Sequence, residues 1–120
     1  MAETDELWVW KYQAEVTKVI DEVTVKAMVD LGFNEMKELT FTLYGITVPK
    51  TLSQSEKGTK SAMARKAHRW LSKRLKGETV TLYSRKQDKL SNGLYFASIE
   101  HDDEVINEVM IKEGFAKTIL

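Results

Sequence analysis

Residues 23–31, VTVKAMVDL, repeat with a period of two: Val23, Val25, Ala27, Val29 and Leu31 fall on one side, and Thr24, Lys26 and Asp30 on the other. Successive side chains of a strand point to opposite faces, so this pattern specifies a strand with one buried face. The preceding segment 7–20, LWVWKYQAEVTKVI, alternates in the same way and sets Trp8, Trp10, Tyr12, Ala14 and Val16 on one face. Gly32 and Asn34 predict a turn after the second strand. Residues 39–46, LTFTLYGI, predict a third strand with Leu39, Phe41 and Leu43 inward.

Pro49 ends this register, since proline has no backbone donor and holds Val48 extended. The polar stretch that follows reads as a loop. Within it SQSE (53–56) has the form of a capping box, but Gly58 follows too soon and a turn is preferred. The period then changes to that of a helix over 59–76. Met63, Ala67, Trp70, Leu71 and Leu75 form its core side, and Arg65, Arg69, Lys73 and Lys76 a basic side. Gly77 is its stop. Residues 78–84 and 94–100 predict strands four and five. Asp102 and Asp103 are candidate N-caps for a second helix over 103–113, with Val105, Ile106, Val109 and Met110 as its core face and Gly114 as its end. Three meandering strands, a helix, two strands and a helix predict a mainly β fold with α: a five-stranded OB-type barrel with one helix between strands three and four and a second after strand five.

The chain has 120 residues, and 1–120 is one domain. It contains no cysteine, which excludes a disulfide framework, a zinc–thiolate site and a cysteine nucleophile. No apolar run reaches the roughly 20 residues of a membrane span, and MAETDELWVW lacks a secretory pattern, so a cytoplasmic protein with no membrane contact is expected. The formal charge is zero, yet it is unevenly distributed: residues 50–89 hold twelve bases against three acids, while the segments on either side are acidic. The block is either a solvated helix face or a local positive field for a polyanion.

Four segments then resemble the staphylococcal nuclease (thermonuclease) family, in the family's order. VIDEVTVKAMVDLGF (19–33) is similar to its V-I-D-G-D-T-V, FTLYGITVPKT (41–51) to its R-L-x-G-I-D-T-P-E, QDKLSNGL (87–94) to its D-K-Y-G-R-G-L, and VINEVMIKEGFAKTI (105–119) to its V-N-x-x-L-V-x-x-G-x-A. The resemblance implies an OB-type barrel and, in catalytic members, a calcium-dependent nuclease site.

The departures from that pattern fall on the chemistry. Asp21 keeps the first Asp of D-G-D-T. The second, a metal ligand, falls at Val23; the Asp of I-D-T-P-E falls at Thr47; the Glu that acts as base or positions water falls at Lys50; and the two phosphate-clamping arginines fall at Thr42 and Asn92. Calcium takes six to eight oxygens, preferably anionic, and valine offers none. Lys50 sets a cation beside the vacated cation site, where repulsion at about 4 Å is worth several kcal/mol. Thr42 and Asn92 lack the bidentate charged donors that steady a phosphoryl transition state. The resemblance therefore implies a degenerate member: not an enzyme, with no metal and no cofactor. Asp21, Glu22 and Asp30 are the carboxylates that a shifted loop could recruit instead.

The remaining candidates are weaker. His101, Asp102, Asp103 and Glu104 can be read as a metal cluster, though helix capping is the preferred reading. His68 sits at a helix border without a nucleophile spaced for it. Two kinds of partner compete. For nucleic acid, Arg65, Arg69, Lys73, Lys76 and Lys89 would contact phosphates, and Tyr44, Tyr83 or Tyr95 would stack on bases unless they pack in the core. For a protein partner or self-association, which is favoured, the aromatic start Trp8, Trp10 and Tyr12 and the end at Leu120 are the candidates. The chain stops before the family's last helix, so barrel surface buried in longer members is expected to be uncovered. Short degenerate domains of this kind are similar to phage-encoded members, which implies an assembly component or an inhibitor of a host protein, in host cytoplasm or virion.

Overall fold

The strand alternation closes into a barrel. The computed structural model describes residues 10–48, 62–84 and 94–118. Strands β1 (Trp10–Asp21), β2 (Thr24–Gly32) and β3 (Glu35–Leu43) form an antiparallel meander, followed by the two-residue β4 (Ile46–Thr47). Helix α1 (Ala62–Leu75) leads into β5 (Thr79–Ser84), which runs antiparallel to β1, and β6 (Tyr95–His101) pairs antiparallel with β5. Parallel pairing of β3 with β6, from Phe41↔Tyr95 to Leu43↔Ala97, closes the five-stranded barrel. The short β7 (Glu104–Val105) folds back on β6, α2 (Ile106–Lys112) follows, and β8 (Lys117–Thr118) pairs with β4. This is the mainly β, OB-type architecture that the sequence predicts, with β5 and β6 as the fourth and fifth barrel strands.

The barrel interior is the inward row of each strand: Val16 on β1, Val25 and Ala27 on β2, Leu43 on β3, Leu82 on β5 and Ile99 on β6 are all buried. Each buried branched side chain stabilises the fold by about 1.5–3 kcal/mol relative to its exposed form. β1 carries a bulge between Val16 and Lys18. There it turns from β5 to the end of α1: Gly77 N–H donates to Val16 O at 2.8 Å, and Val16 N–H to Glu78 O at 3.0 Å. Gly77 has φ +80°, which a side chain would strain, so it stops α1 and fixes the chain's entry to β5. Farther along, His68 Nε2–H donates to Val19 O at 3.1 Å and ties the middle of α1 to β1.

Several details differ from the sequence reading. β3 starts at Glu35 rather than at 39 and ends at Leu43, before a turn at Tyr44–Gly45. Residues 35–38 are exposed on both faces, so no alternation marks them. On α1 the buried residues are Ala64, Ala67, Leu71 and Leu75, while Met63 is exposed and Trp70 half-buried. Small side chains are what lets the helix lie close to the barrel, and they carry little hydrophobic signal. The second helix begins at Ile106 rather than 103, behind Val105 with no side-chain cap. Asp102 and Asp103 do not cap it. With φ +52° and +64° they form the tight turn joining β6 to β7. The loop after Pro49, the SQSE segment, Trp8, Lys50, Lys89, Asn92 and Leu120 lie outside the described residues.

Candidate functional site

The positions that the resemblance assigns to a metal site lie in the β1–β2 turn, at the end of β3 and on β4. Asp21 Oδ1 accepts the Val23 N–H at 2.9 Å, an Asx turn that closes the hairpin. Val23 then enters the barrel: it is 6% exposed, and its carbonyl accepts the Leu43 N–H at 2.8 Å. Thr42 is half-buried between Thr24 of β2 and Phe96 of β6. Thr47 is exposed on β4 opposite Lys117. Glu22 is the one carboxylate among the described residues that is fully buried, at 1% exposure.

The other carboxylates do not converge there. Asp30 lies seven residues along β2 from Val23, roughly 23 Å at the strand rise, and its Oδ1 accepts the Gly32 N–H. Among the described residues no group of three or more His, Cys, Asp or Glu side chains is arranged to hold a metal. Described donors of this kind do not fit a calcium ion, which needs several oxygens aimed at one point.

The His101 cluster is an ion-pair network rather than a metal site. Arg74 of α1 donates through Nε to His101 Nδ1 at 3.0 Å and through one terminal nitrogen to Glu104 Oε1 at 2.8 Å. Nδ1 therefore accepts, the proton sits on Nε2, and Nε2–H donates to Glu78 Oε1 at 3.1 Å. Asp102 stands 3.8 Å from Nδ1. The Arg74 guanidinium, chiefly by its hydrogen bond, holds the Glu104 carboxyl below the ordinary carboxylate range. Arg74 also lies 5.9 Å over the Trp70 ring, and Trp70 meets Phe115 at 5.5 Å, so the network fastens α1 to the β6–β7 turn and the α2 end.

Two further surfaces hold the partner candidates. Arg65, Arg69 and Lys73 are exposed on α1, with Lys76 just beyond its end, and Lys66 borders the same stripe. The tyrosines are occupied. Tyr83 donates to Glu100 Oε1 at 2.9 Å, which raises its pKa, followed by burial and the Glu100 charge. Tyr44 packs edge-on to Phe96 at 5.7 Å, and Tyr95 tilts against Phe41 at 6.2 Å. Trp10 is exposed, whereas Tyr12 packs against the core.

Three features escaped the sequence reading. Asn107 is buried and bonded to three backbone groups; an Asn among the Val, Ile and Met of a helix face is the signal the sequence offers. The Arg74–His101 network needed the fold. The β2–β3 hairpin extends past the barrel with Phe33 98% exposed at its tip.

The family described as staphylococcal nuclease homologue matches residues 40–120. No curated protein matches the chain. No helix of the described residues is long and apolar enough to cross a membrane.

Proposed function

The chain belongs to the staphylococcal nuclease homologue family, and from that premise we propose that it is a non-catalytic binding domain acting through protein contact. The observation that carries this reading is Val23. The position that the resemblance aligns with a metal ligand of catalytic members carries an alkyl side chain in the barrel core, its backbone bonded to Leu43. A carboxylate from a shifted register cannot take its place without turning core outward, because one residue of slip flips every side chain of the strand. Thr42 and Thr47 replace a cation and an anion by neutral hydroxyls, and Lys50 and Asn92 complete the loss of base and second clamp. Removing one oxyanion-type donor costs about a hundredfold or more in rate, and this chain lacks the whole set.

Incubation with single-stranded DNA or RNA and calcium tests the reading. No cleavage above a buffer blank is expected. Cleavage that a chelator abolishes would overturn it.

Protein contact is favoured over nucleic acid because Tyr44, Tyr83 and Tyr95 already have packing or hydrogen-bond partners and present no stacking row. By analogy with the phage-encoded members it resembles, the role we propose is an assembly component or an inhibitor of a host protein, in phage or host cytoplasm. One observation favours the second reading: the exposed basic face of α1. A gel shift that weakens steeply with salt and is lost on reversing Arg65, Arg69 and Lys73 would establish that second reading and displace the first.

A further inference from the structure

We propose that the domain's partner includes a second copy of itself: the β2–β3 hairpin of one copy docks on the basic outer face of α1 of the next. This rests on the reading of the domain as a protein-binding module.

The hairpin is the first half of the contact. Residues 30–38 are all exposed. Phe33 is 98% exposed, Met36 55% and Leu31 38%. Phe33 and Asn34 both have positive φ, +56° and +62°, in the two-residue turn between Gly32 and Glu35. Asn and Gly adopt that conformation readily, while a bulky side chain is strained in it. Neither backbone nor core calls for phenylalanine at this site; an apolar contact with another surface does. Around it Asp30, Glu35 and Glu38 outnumber Lys37, so the tip is apolar with an acidic rim.

Helix α1 is the complementary half. It contains no acidic residue. Lys66, Arg69, Lys73 and Lys76 are exposed, and none of the ion pairs among the described residues involves them. Like charges at i, i+4 repel, and an acidic surface relieves them. Met63, one turn before Lys66, is exposed beside this face and offers the Phe33 ring an apolar neighbour.

The two halves cannot meet within one chain. The end of α1 is fixed at Val16, and the β1–β2 pairing extends to Gln13↔Asp30, short of the tip. Three residues of β1 and three of β2 separate them, about 20 Å at the strand rise. The contact therefore joins two different patches; repeated in one sense it adds copies head to tail, and made reciprocally it closes at two. The formal charge of zero removes long-range repulsion between copies. One exposed Phe offers on the order of 200 Å², against about 800 Å² per side for a stable interface, so the association is weak and salt-sensitive.

Sedimentation velocity on the whole chain, from about 10 µM to about 1 mM, tests the proposal. The mean mass is expected to rise with concentration at about 50 mM NaCl and to fall back at about 500 mM. F33N and R69E/K73E should each lower the association constant at least about tenfold, the loss expected for a contact's anchor. F33N suits the turn, so its loss of association is not misfolding. An equimolar mixture of the two variants should associate again and stop at two copies, because each retains one intact half. A chain monomeric throughout, association unchanged in either variant, or a mixture that fails to associate overturns the proposal. A monomeric chain that also cleaves no nucleic acid leaves the non-catalytic reading standing, whereas cleavage with intact association removes that reading alone.

Discussion

Asn107 and Tyr44, 63 positions apart, are joined by a 2.9 Å hydrogen bond from the Asn107 Nδ2 amide to the Tyr44 carbonyl. The same side chain accepts the Ile99 N–H through Oδ1 at 3.1 Å and donates to Ala97 O at 3.3 Å. One buried amide thus fixes α2 against β6 and against the turn that ends β3. Its Asn107→Ala variant leaves the Ile99 N–H and the Tyr44 carbonyl without this partner, while Ala97 O keeps the Tyr44 N–H at 2.9 Å; each buried group left unsatisfied costs about 1–3 kcal/mol. We expect the variant to be destabilised by about 2–4 kcal/mol, at the upper end for point substitutions. Urea unfolding measures it directly. A loss within about 0.5 kcal/mol, the range of an ordinary surface change, would show that water replaces the amide.

The Arg74–Glu104 pair gives a pH dependence with a definite sign. Glu104's folded pKa lies below its unfolded value because Arg74 bonds the charged carboxylate. The stability it contributes is present in full above the unfolded value of about 4.3 and is lost as pH falls through the lower folded one. Glu104→Gln should therefore be less stable than the natural chain near pH 7, with the gap closing in acid. Thermal melts of both proteins across that range check it. A gap that persists in acid, with the Glu104 carboxyl protonated, would assign the effect to packing rather than to charge.

Tyr83 behaves in the opposite sense. Its O–H donates to Glu100, and the neutral phenol is the favoured form, so its folded pKa is raised. The associated stability is present below the unfolded value of about 10 and is lost as pH rises through the higher folded one. Absorbance titration of the chain should show a late component that belongs to Tyr83. Tyr83→Phe should remove that component, and Glu100→Gln should move it back toward ordinary tyrosine.

How far the sequence could be read depended on where packing leaves a periodic mark. β2 shows it on every alternate residue from Val23 to Val29, and the barrel follows from that. The β2–β3 hairpin shows none, because beyond the barrel both faces of residues 35–38 meet solvent. Asp102 and Asp103 look like helix caps, since Asp suits both an N-cap and a left-handed turn. Only the register of β6 with β7 selects the turn. At the candidate site, the burial of Val23 was legible because it continues the alternation of β2. The exposure of Phe33 was not, because an apolar residue beside Gly and Asn looks the same in sequence whether it packs or projects.

The one-residue frame of α1 separates two substitutions that look alike in sequence. Ala64 is fully buried, with Ala67, Leu71 and Leu75, and Met63 is 38% exposed. Ala64→Leu forces extra carbons between helix and barrel, a cost of about 1–3 kcal/mol. Met63→Gln exchanges one flexible exposed side chain for another and should stay within about 0.5 kcal/mol. Chemical denaturation of the two variants settles the frame, and the reverse order of stabilities would rotate α1 by one residue.

The strained tip makes stability and contact separable. Phe33 holds φ +56° with almost no burial to offset the strain. Asn tolerates that conformation and hides no apolar surface when the chain is alone. Phe33→Asn should therefore stabilise the isolated domain by roughly 0.5–1 kcal/mol, the range seen when a residue is matched to its backbone conformation. A 120-residue domain converts that into a rise of about 2–6 °C in Tm. The measurement belongs at a dilution where the natural chain is monomeric, since association at higher concentration stabilises the natural chain and masks the difference. A variant less stable than the natural chain under those conditions would mean that the Phe33 ring packs on its own hairpin, and the tip would then have no spare apolar face to offer a partner.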